Sequence, residues 1–173
     1  MTALEAALAL VAEHEFSNLP DGGLTDDPDD PGGITKFGIS LRFLQSIAPE
    51  TTQQDIFDMT WERASSILEV EFWQKNRYDL LPAAVSVKMF DLAVNMGAAQ
   101  AHRLIQRACR ACSDRVKEDG VLGPVTRASV SSALPYVILA CLRCEAAGFY
   151  RSLASARPSS AKFLEGWLSR AYS

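Results

Sequence analysis

The sequence predicts a mainly α domain that carries a long Asp/Gly/Pro loop, or a small β-hairpin, after its first helix. Three observations lead there. Apolar residues recur at helical spacing through most of the 173 residues. Proline and glycine fall where such segments would start and stop, and no convincing two-residue alternation marks a strand outside residues 16–38. A chain of this length can bury roughly 70% of its extended surface in one core, so one domain is expected.

In chain order, residues 3–15 read as an amphipathic first helix. Residues 16–36 hold too many breakers for a helix and are too numerous for a simple turn, which is the mark of a functional loop; alternatively 16–38 folds back as a hairpin. A short helix over 39–47 stops before Pro49. Thr51 or Thr52 caps the next small helix, and Thr60 the one over 61–75, because a hydroxyl there accepts from an otherwise unpaired amide. Pro82 opens a helix that Gly97 stops, and 98–112 continues helical beyond it. The cluster 118–124 turns the chain into a helix begun by Pro124. Pro135 starts the longest apolar helix, over 136–154, and Pro158 introduces a last one containing Phe163 and Trp167. There is no internal repeat. A weak subdivision near 80–97 separates 1–97 from 98–173 within one compact unit.

A formal net charge of −4 and a pI near 5.2 give no long-range attraction to polyanions, and no basic patch offsets them, so no nucleic-acid partner is expected. The N-terminus lacks a positive leader, carries Glu5 inside its apolar run and shows no small-residue cleavage pattern, so no export signal is expected. The richest apolar run, 134–150, is broken by Arg143 and Glu145, which argues against membrane insertion. These readings describe a soluble monomer made in the cytoplasm.

Cys109, Cys112, Cys141 and Cys144 have the spacing of two C-x2-C pairs. Both pairs lie in helical pattern, without the Gly or Pro knuckle that would turn four thiolates toward one zinc ion, so buried thiols are expected. The DDPDD run at 26–30 lacks the alternating acids and central glycine of a calcium loop. Neither metal nor cofactor is expected. His14 and His102 lack partners at metal spacing and receive no role. Trp61, Trp73, Tyr78 and Trp167 fit a core better than a sugar-stacking surface.

The acidic residues carry the chemistry. On a helical wheel Leu4, Leu8 and Val11 share the side of Glu15, while Glu13 points away. An inward acid at a helix C-terminus loses hydration and meets the negative end of the helix dipole, and both effects favour the protonated carboxyl that a general acid needs. Asp29 and Asp30 precede Pro31, Gly32 and Gly33, a tight turn able to set a second carboxylate across a cleft, and Thr35 adds a hydroxyl. Acid, second carboxylate and hydroxyl form the minimum set for glycoside hydrolysis.

Three blocks add a resemblance: DPDDPGGITKFGIS at 27–40, FDLAVNMG at 90–97 and DGVLGPVTRAS at 119–129. In this order, over nearly the whole chain, they resemble glycoside hydrolase family 108, the bacteriophage-type lysozymes (N-acetylmuramidases) with an attached predicted peptidoglycan-binding region. The resemblance implies a lysozyme-like fold, a catalytic half at 1–97, a peptidoglycan-binding region at 98–173, and bacterial peptidoglycan as partner without a cofactor. It further implies hydrolysis of the β-1,4 bond between N-acetylmuramic acid and N-acetylglucosamine, in phage lysis or by an effector delivered to the wall. A catalytically silent peptidoglycan-binding module is the alternative.

The family's working segment runs E-G-G-Y-x-N-D-P-x-D-P-G-G-x-T-x-x-G-I, and here this chain departs from it. An ungapped match sets Asp21 at the position of the Glu, whereas a match with six inserted residues sets Glu15 there. Glu15 continues the apolar face of the first helix, while Asp21 follows Pro20 in a loop. Shortening a proton donor by one methylene misplaces it by over ~1 Å, which favours Glu15. By the same resemblance Asp30 holds or activates the attacking water, in an inverting geometry with about 6.5 to 9.5 Å between carboxylates, and Thr35 orients that water. Asn95 would hydrogen-bond an N-acetyl sugar, or else serve the loop backbone; Asp91 lies one turn earlier on the same face. Phe37 and Gly38 are expected to fix the loop.

Overall fold

The computed structural model describes residues 1–17, 19–26, 33–112 and 115–173. Helix α1 (Ala3–Glu15) starts at a reciprocal cap, the Glu5 amide donating to the Thr2 hydroxyl at 3.2 Å and the Thr2 amide to the Glu5 carboxylate at 2.7 Å. Ala7 and Val11 are buried, Glu13 is exposed and Glu15 is half-buried, so the acid faces inward as the spacing predicts.

The hairpin is shorter than the 16–38 stretch and sits at its end. Strands β1 (Thr35–Lys36) and β2 (Ile39–Ser40) pair antiparallel, Thr35 opposite Ser40 and Lys36 opposite Ile39, and Thr25 bridges back to Thr35. Phe37 and Gly38 at the turn both have positive φ, 54° and 75°, which matches the twist a two-residue hairpin needs. Such a φ strains Phe37. Its ring compensates by packing against Phe16 at 4.9 Å and Trp61 at 5.8 Å between centroids. Gly22 makes the room, since a β-carbon there would lie 2.2 Å from that ring.

Ser40 caps α2 (Leu41–Ile47), accepting from the Phe43 amide at 3.2 Å. Of the two candidate threonines, Thr52 caps α3 (Gln53–Phe57), its amide and hydroxyl both donating to Asp55. Thr60 caps α4 (Trp61–Leu68) as predicted. The single helix expected over 61–75 instead widens into a π-helical stretch, Glu69–Gln74. A one-residue change in hydrogen-bond ring leaves the apolar spacing nearly unaltered, so periodicity does not reveal it. Trp73, on that stretch, is buried against Phe90 at 5.7 Å.

From Ala83 onward the chain forms α5 (Ala83–Met96), α6 (Ala98–Ala111), α7 (Pro124–Ser132), α8 (Pro135–Ala156) and α9 (Leu164–Tyr172). α5 is the central helix, packed by α1, α6 and α8, with Val85, Met89, Phe90, Leu92 and Ala93 fully buried. Burying each large apolar side chain contributes about 1.5–3 kcal/mol, which makes this helix the main anchor of the fold. α7 and α8 join at a bend of 119°. Pro158 begins a 3-10 stretch, Pro158–Phe163, rather than the last α-helix itself; α9 follows it and lies along α8.

The architecture is mainly α and lysozyme-like, with one two-stranded sheet among the described residues. No single helix among them is long and apolar enough to cross a membrane. The cysteines divide. Cys109 is buried, Cys112 Sγ lies 3.9 Å from Cys141 Sγ across α6 and α8, and Cys144 is exposed, against the expectation of burial.

Candidate active site

The last turn of α1 presents His14 and Glu15 to two helices far away in sequence. From α9, Arg170 Nη2 donates to Glu15 Oε1 at 2.5 Å. The Glu15 side chain is 21% exposed and that of Arg170 7%, so the acid keeps some contact with solvent while its cation is almost wholly covered. The turn of the hairpin, at Gly38, lies directly on the Glu15 side chain.

Behind Arg170 stands Asp91 of α5, fully buried. Arg170 Nε lies 3.3 Å from Asp91 Oδ1, and His14 Nδ1 lies 2.8 Å from the same oxygen. His14 Nδ1 also lies 3.3 Å from Arg170 Nε. A ring nitrogen cannot donate to the carboxylate and accept from the guanidinium at once, so the shorter contact assigns the proton to Nδ1, donated to Asp91. The other oxygen, Asp91 Oδ2, makes no hydrogen bond among the described residues and faces the Lys88 ammonium at 3.6 Å. Lys88, itself buried, donates to the Arg170 carbonyl and, at 3.1 Å, to the Ser173 hydroxyl.

Two carboxylates and two cations thus neutralise one another in a low-dielectric pocket, where an unpaired charge costs several kcal/mol. Burial opposes the charge on Arg170, yet the carboxylates of Glu15 and Asp91 outweigh it and hold the guanidinium above its ordinary value. For Lys88 the balance goes the other way: burial dominates, the Asp91 charge only partly compensates, and the ammonium is pulled down to about 8.

The residues predicted from the sequence are distributed as follows. Glu15 lies between Arg170 and the hairpin turn. Asp30, with the rest of the DPDDPG turn, lies outside the described residues. Thr35 is in the hairpin whose turn touches Glu15, and its hydroxyl donates to the Gly33 carbonyl at 3.1 Å. Asn95 is half-buried near the end of α5; its Oδ1 accepts from the Tyr150 hydroxyl at 2.7 Å, so its partner is a side chain of α8 rather than loop backbone. Asp21 is exposed, in the 3-10 turn Pro20–Gly22 with φ 56°.

Sequence reasoning missed Arg170, Lys88 and the part played by His14. A signal was available: Lys88 and Asp91 interrupt an otherwise apolar helix at i, i+3 spacing, and Arg170 falls on the inward side of α9 beside Ala171. Buried charges of that kind imply partners. Among the described residues no group of three or more His, Cys, Asp or Glu side chains is placed to hold a metal ion.

The aromatic readings hold for Trp73 and Tyr78, which are buried, whereas Trp61 and Trp167 are half-buried. Trp167 stacks on Tyr150 at 5.3 Å and 20°, and Phe163 covers it at 5.7 Å, a stack that fixes α9 on α8. The DGVLGP turn closes on α6 in a similar way. Gln106 donates to Asp119 at 2.8 Å and to the Val121 carbonyl at 3.0 Å, while its own oxygen accepts from the Gly120 amide at 2.9 Å.

Residues 17–97 match the family Glycosyl hydrolase 108, and residues 100–172 match the family Predicted Peptidoglycan domain. The first match begins two residues beyond Glu15, and it includes Asp21, Thr35 and Asn95. Among solved structures, that of Brucella abortus SagA is similar over 97% of this chain and 91% of its own, with 29% identity and a TM-score of 0.79. No curated protein matches. Residues 17–97 thus belong with glycosyl hydrolase 108 and residues 100–172 with the predicted peptidoglycan domain, and the chain is a glycoside hydrolase that acts on peptidoglycan.

Proposed function

We propose that the chain is an N-acetylmuramidase: it hydrolyses the β-1,4 bond between N-acetylmuramic acid and N-acetylglucosamine, with Glu15 as proton donor to the departing sugar oxygen. One observation carries the reading. Glu15 is a half-buried carboxylate braced by Arg170 and pressed by the hairpin turn, whereas Asp21 is exposed. That the family match starts after Glu15 favours Asp21 by alignment. Geometry weighs more here, because a general acid must be fixed within hydrogen-bond reach of a buried glycosidic oxygen.

In this mechanism Asp30 activates the attacking water and Thr35 helps to orient it, while Asn95 receives the N-acetyl group of a bound sugar through its amide. Lacking charge attraction for an anionic wall, the enzyme relies on such sugar contacts and reaches the wall from the cytoplasm through separate release or delivery machinery.

Glu15→Gln and Asp21→Asn, assayed for reducing sugar released from purified sacculi, test the assignment. Loss in the first variant and activity in the second are expected; the reverse pattern makes Asp21 the donor. Mass spectrometry of the digest should show N-acetylmuramic acid at the new reducing end. Sacculi bound by the wild type with no sugar released would identify a binding module instead.

A further inference from the structure

The C-terminal half supplies more than a separate grip on the wall. We infer that Arg170, anchored by Asp91, is the positioning residue of the catalytic acid, so that the second half of the chain completes the active site of the first; this rests on Glu15 being the proton donor.

Three observations support it. The guanidinium reaches Glu15 at 2.5 Å while remaining almost wholly buried, so it is aimed at the acid and not at bulk solvent. It cannot swing away, because Asp91 holds Nε at 3.3 Å from behind and Lys88 fastens the Arg170 carbonyl. Its helix is fixed by the Trp167 stack on Tyr150, one turn earlier in α9. A long side chain held at its head, its backbone and its helix is preorganised rather than adaptable.

The chemistry explains the placement. When Glu15 gives its proton to the leaving oxygen, a negative charge appears on its carboxylate. A fixed cation at hydrogen-bond distance from that oxygen stabilises the charge as it forms, without reorganising at the moment of reaction. Asp91 cannot serve as a second acid, since it is fully buried and already faces His14, Arg170 and Lys88. The charged and titratable groups facing the pair are therefore His14 on α1, Lys88 and Asp91 on α5, and Tyr150 on α8.

The test measures kcat and KM of the full chain on soluble glycan strands for Arg170→Ala, Arg170→Lys and Glu15→Gln, with far-ultraviolet circular dichroism as a fold control. Arg170→Ala should lose on the order of 10²-fold in kcat with KM little changed, as expected for a misplaced catalytic group. Added guanidinium ion should restore part of that loss, and Arg170→Lys should fall between. Wild-type kcat in Arg170→Ala, or a loss in a folded variant that neither guanidinium nor lysine recovers, overturns the proposal. Should Arg170→Ala fail to fold, Asp91→Asn makes the same test from behind: reduced kcat at unchanged KM supports the anchor, and unchanged kcat overturns it. An active Glu15→Gln sinks the donor assignment itself, and an inactive one beside a fully active Arg170→Ala sinks this inference alone.

Discussion

A β-carbon added to Gly38 would lie 3.1 Å from Cγ and 3.3 Å from Cδ of Glu15, so the hairpin turn rests on the acid with no space to spare. Gly38 also has φ 75°, where an alanine is strained. Gly38→Ala should therefore cost about 1–2 kcal/mol in stability and also displace the carboxylate, lowering kcat by about tenfold or more. Gly97→Ala separates the two effects: φ there is 86° but a β-carbon would meet nothing within 4 Å. It should lose stability and keep kcat. Equal kcat in both variants would show that the turn does not position Glu15.

Tyr150 is a second long-range brace, buried and donating to Asn95 Oδ1 at 2.7 Å. Burial holds its phenol well above the ordinary tyrosine range, so it remains a donor at every working pH. With its oxygen engaged, the Asn95 amide has its N–H groups left for a ligand carbonyl. Tyr150→Phe should cost about 1 kcal/mol in stability and raise KM several-fold with little change in kcat. An unchanged KM on soluble glycan strands would remove Asn95 from substrate binding.

The ammonium of Lys88 gives a pH signature. Burial pulls it down to about 8, while the unfolded chain titrates near the ordinary lysine value of about 10.4. Between those values the unfolded chain binds a proton that the folded chain does not, so stability rises with pH across that window; below about 8 the penalty is fully present. Relative to Lys88→Met, the wild type should gain on the order of 2 kcal/mol between pH 8 and 10 in denaturant unfolding. Parallel curves for the two proteins would mean that Lys88 is fully charged throughout.

Much of the helical framework was legible because its signals are local. Thr60 caps α4, Gly97 stops α5, and Pro124 and Pro135 open α7 and α8, each acting within one helical turn. The inward side of Glu15 was also legible, as it follows from spacing along a single helix. What completes the site was not. Arg170 lies 155 residues from Glu15 and Asp91 lies 77 from His14, so their meeting depends on how α1, α5 and α9 pack, which no local pattern encodes. The π-helical stretch after α4 escaped for the opposite reason: it changes the backbone ladder without changing the apolar pattern. The tautomer and role of His14 became readable only once Asp91 stood beside it.

His102, the other histidine, is a structural group with its own pH dependence. Its Nδ1 lies 3.0 Å from the Gly120 carbonyl, which can only accept, so Nδ1 carries the proton; Nε2 then accepts from the Tyr78 hydroxyl at 3.1 Å. The ring is neutral and buried between α6 and the DGVLGP turn. Burial holds it below the ordinary histidine value; the Gly120 bond partly offsets this and nearby Arg127 adds to it. As pH falls through about 6.5, the unfolded chain takes up a proton that the folded chain refuses, so stability is lost on the acid side. His102→Gln should be less stable at pH 7, through the orphaned Tyr78 hydroxyl, yet show a shallower loss between pH 7 and 5. Urea unfolding of both proteins across that range decides it: an equally steep acid loss in the variant would place the titrating group elsewhere.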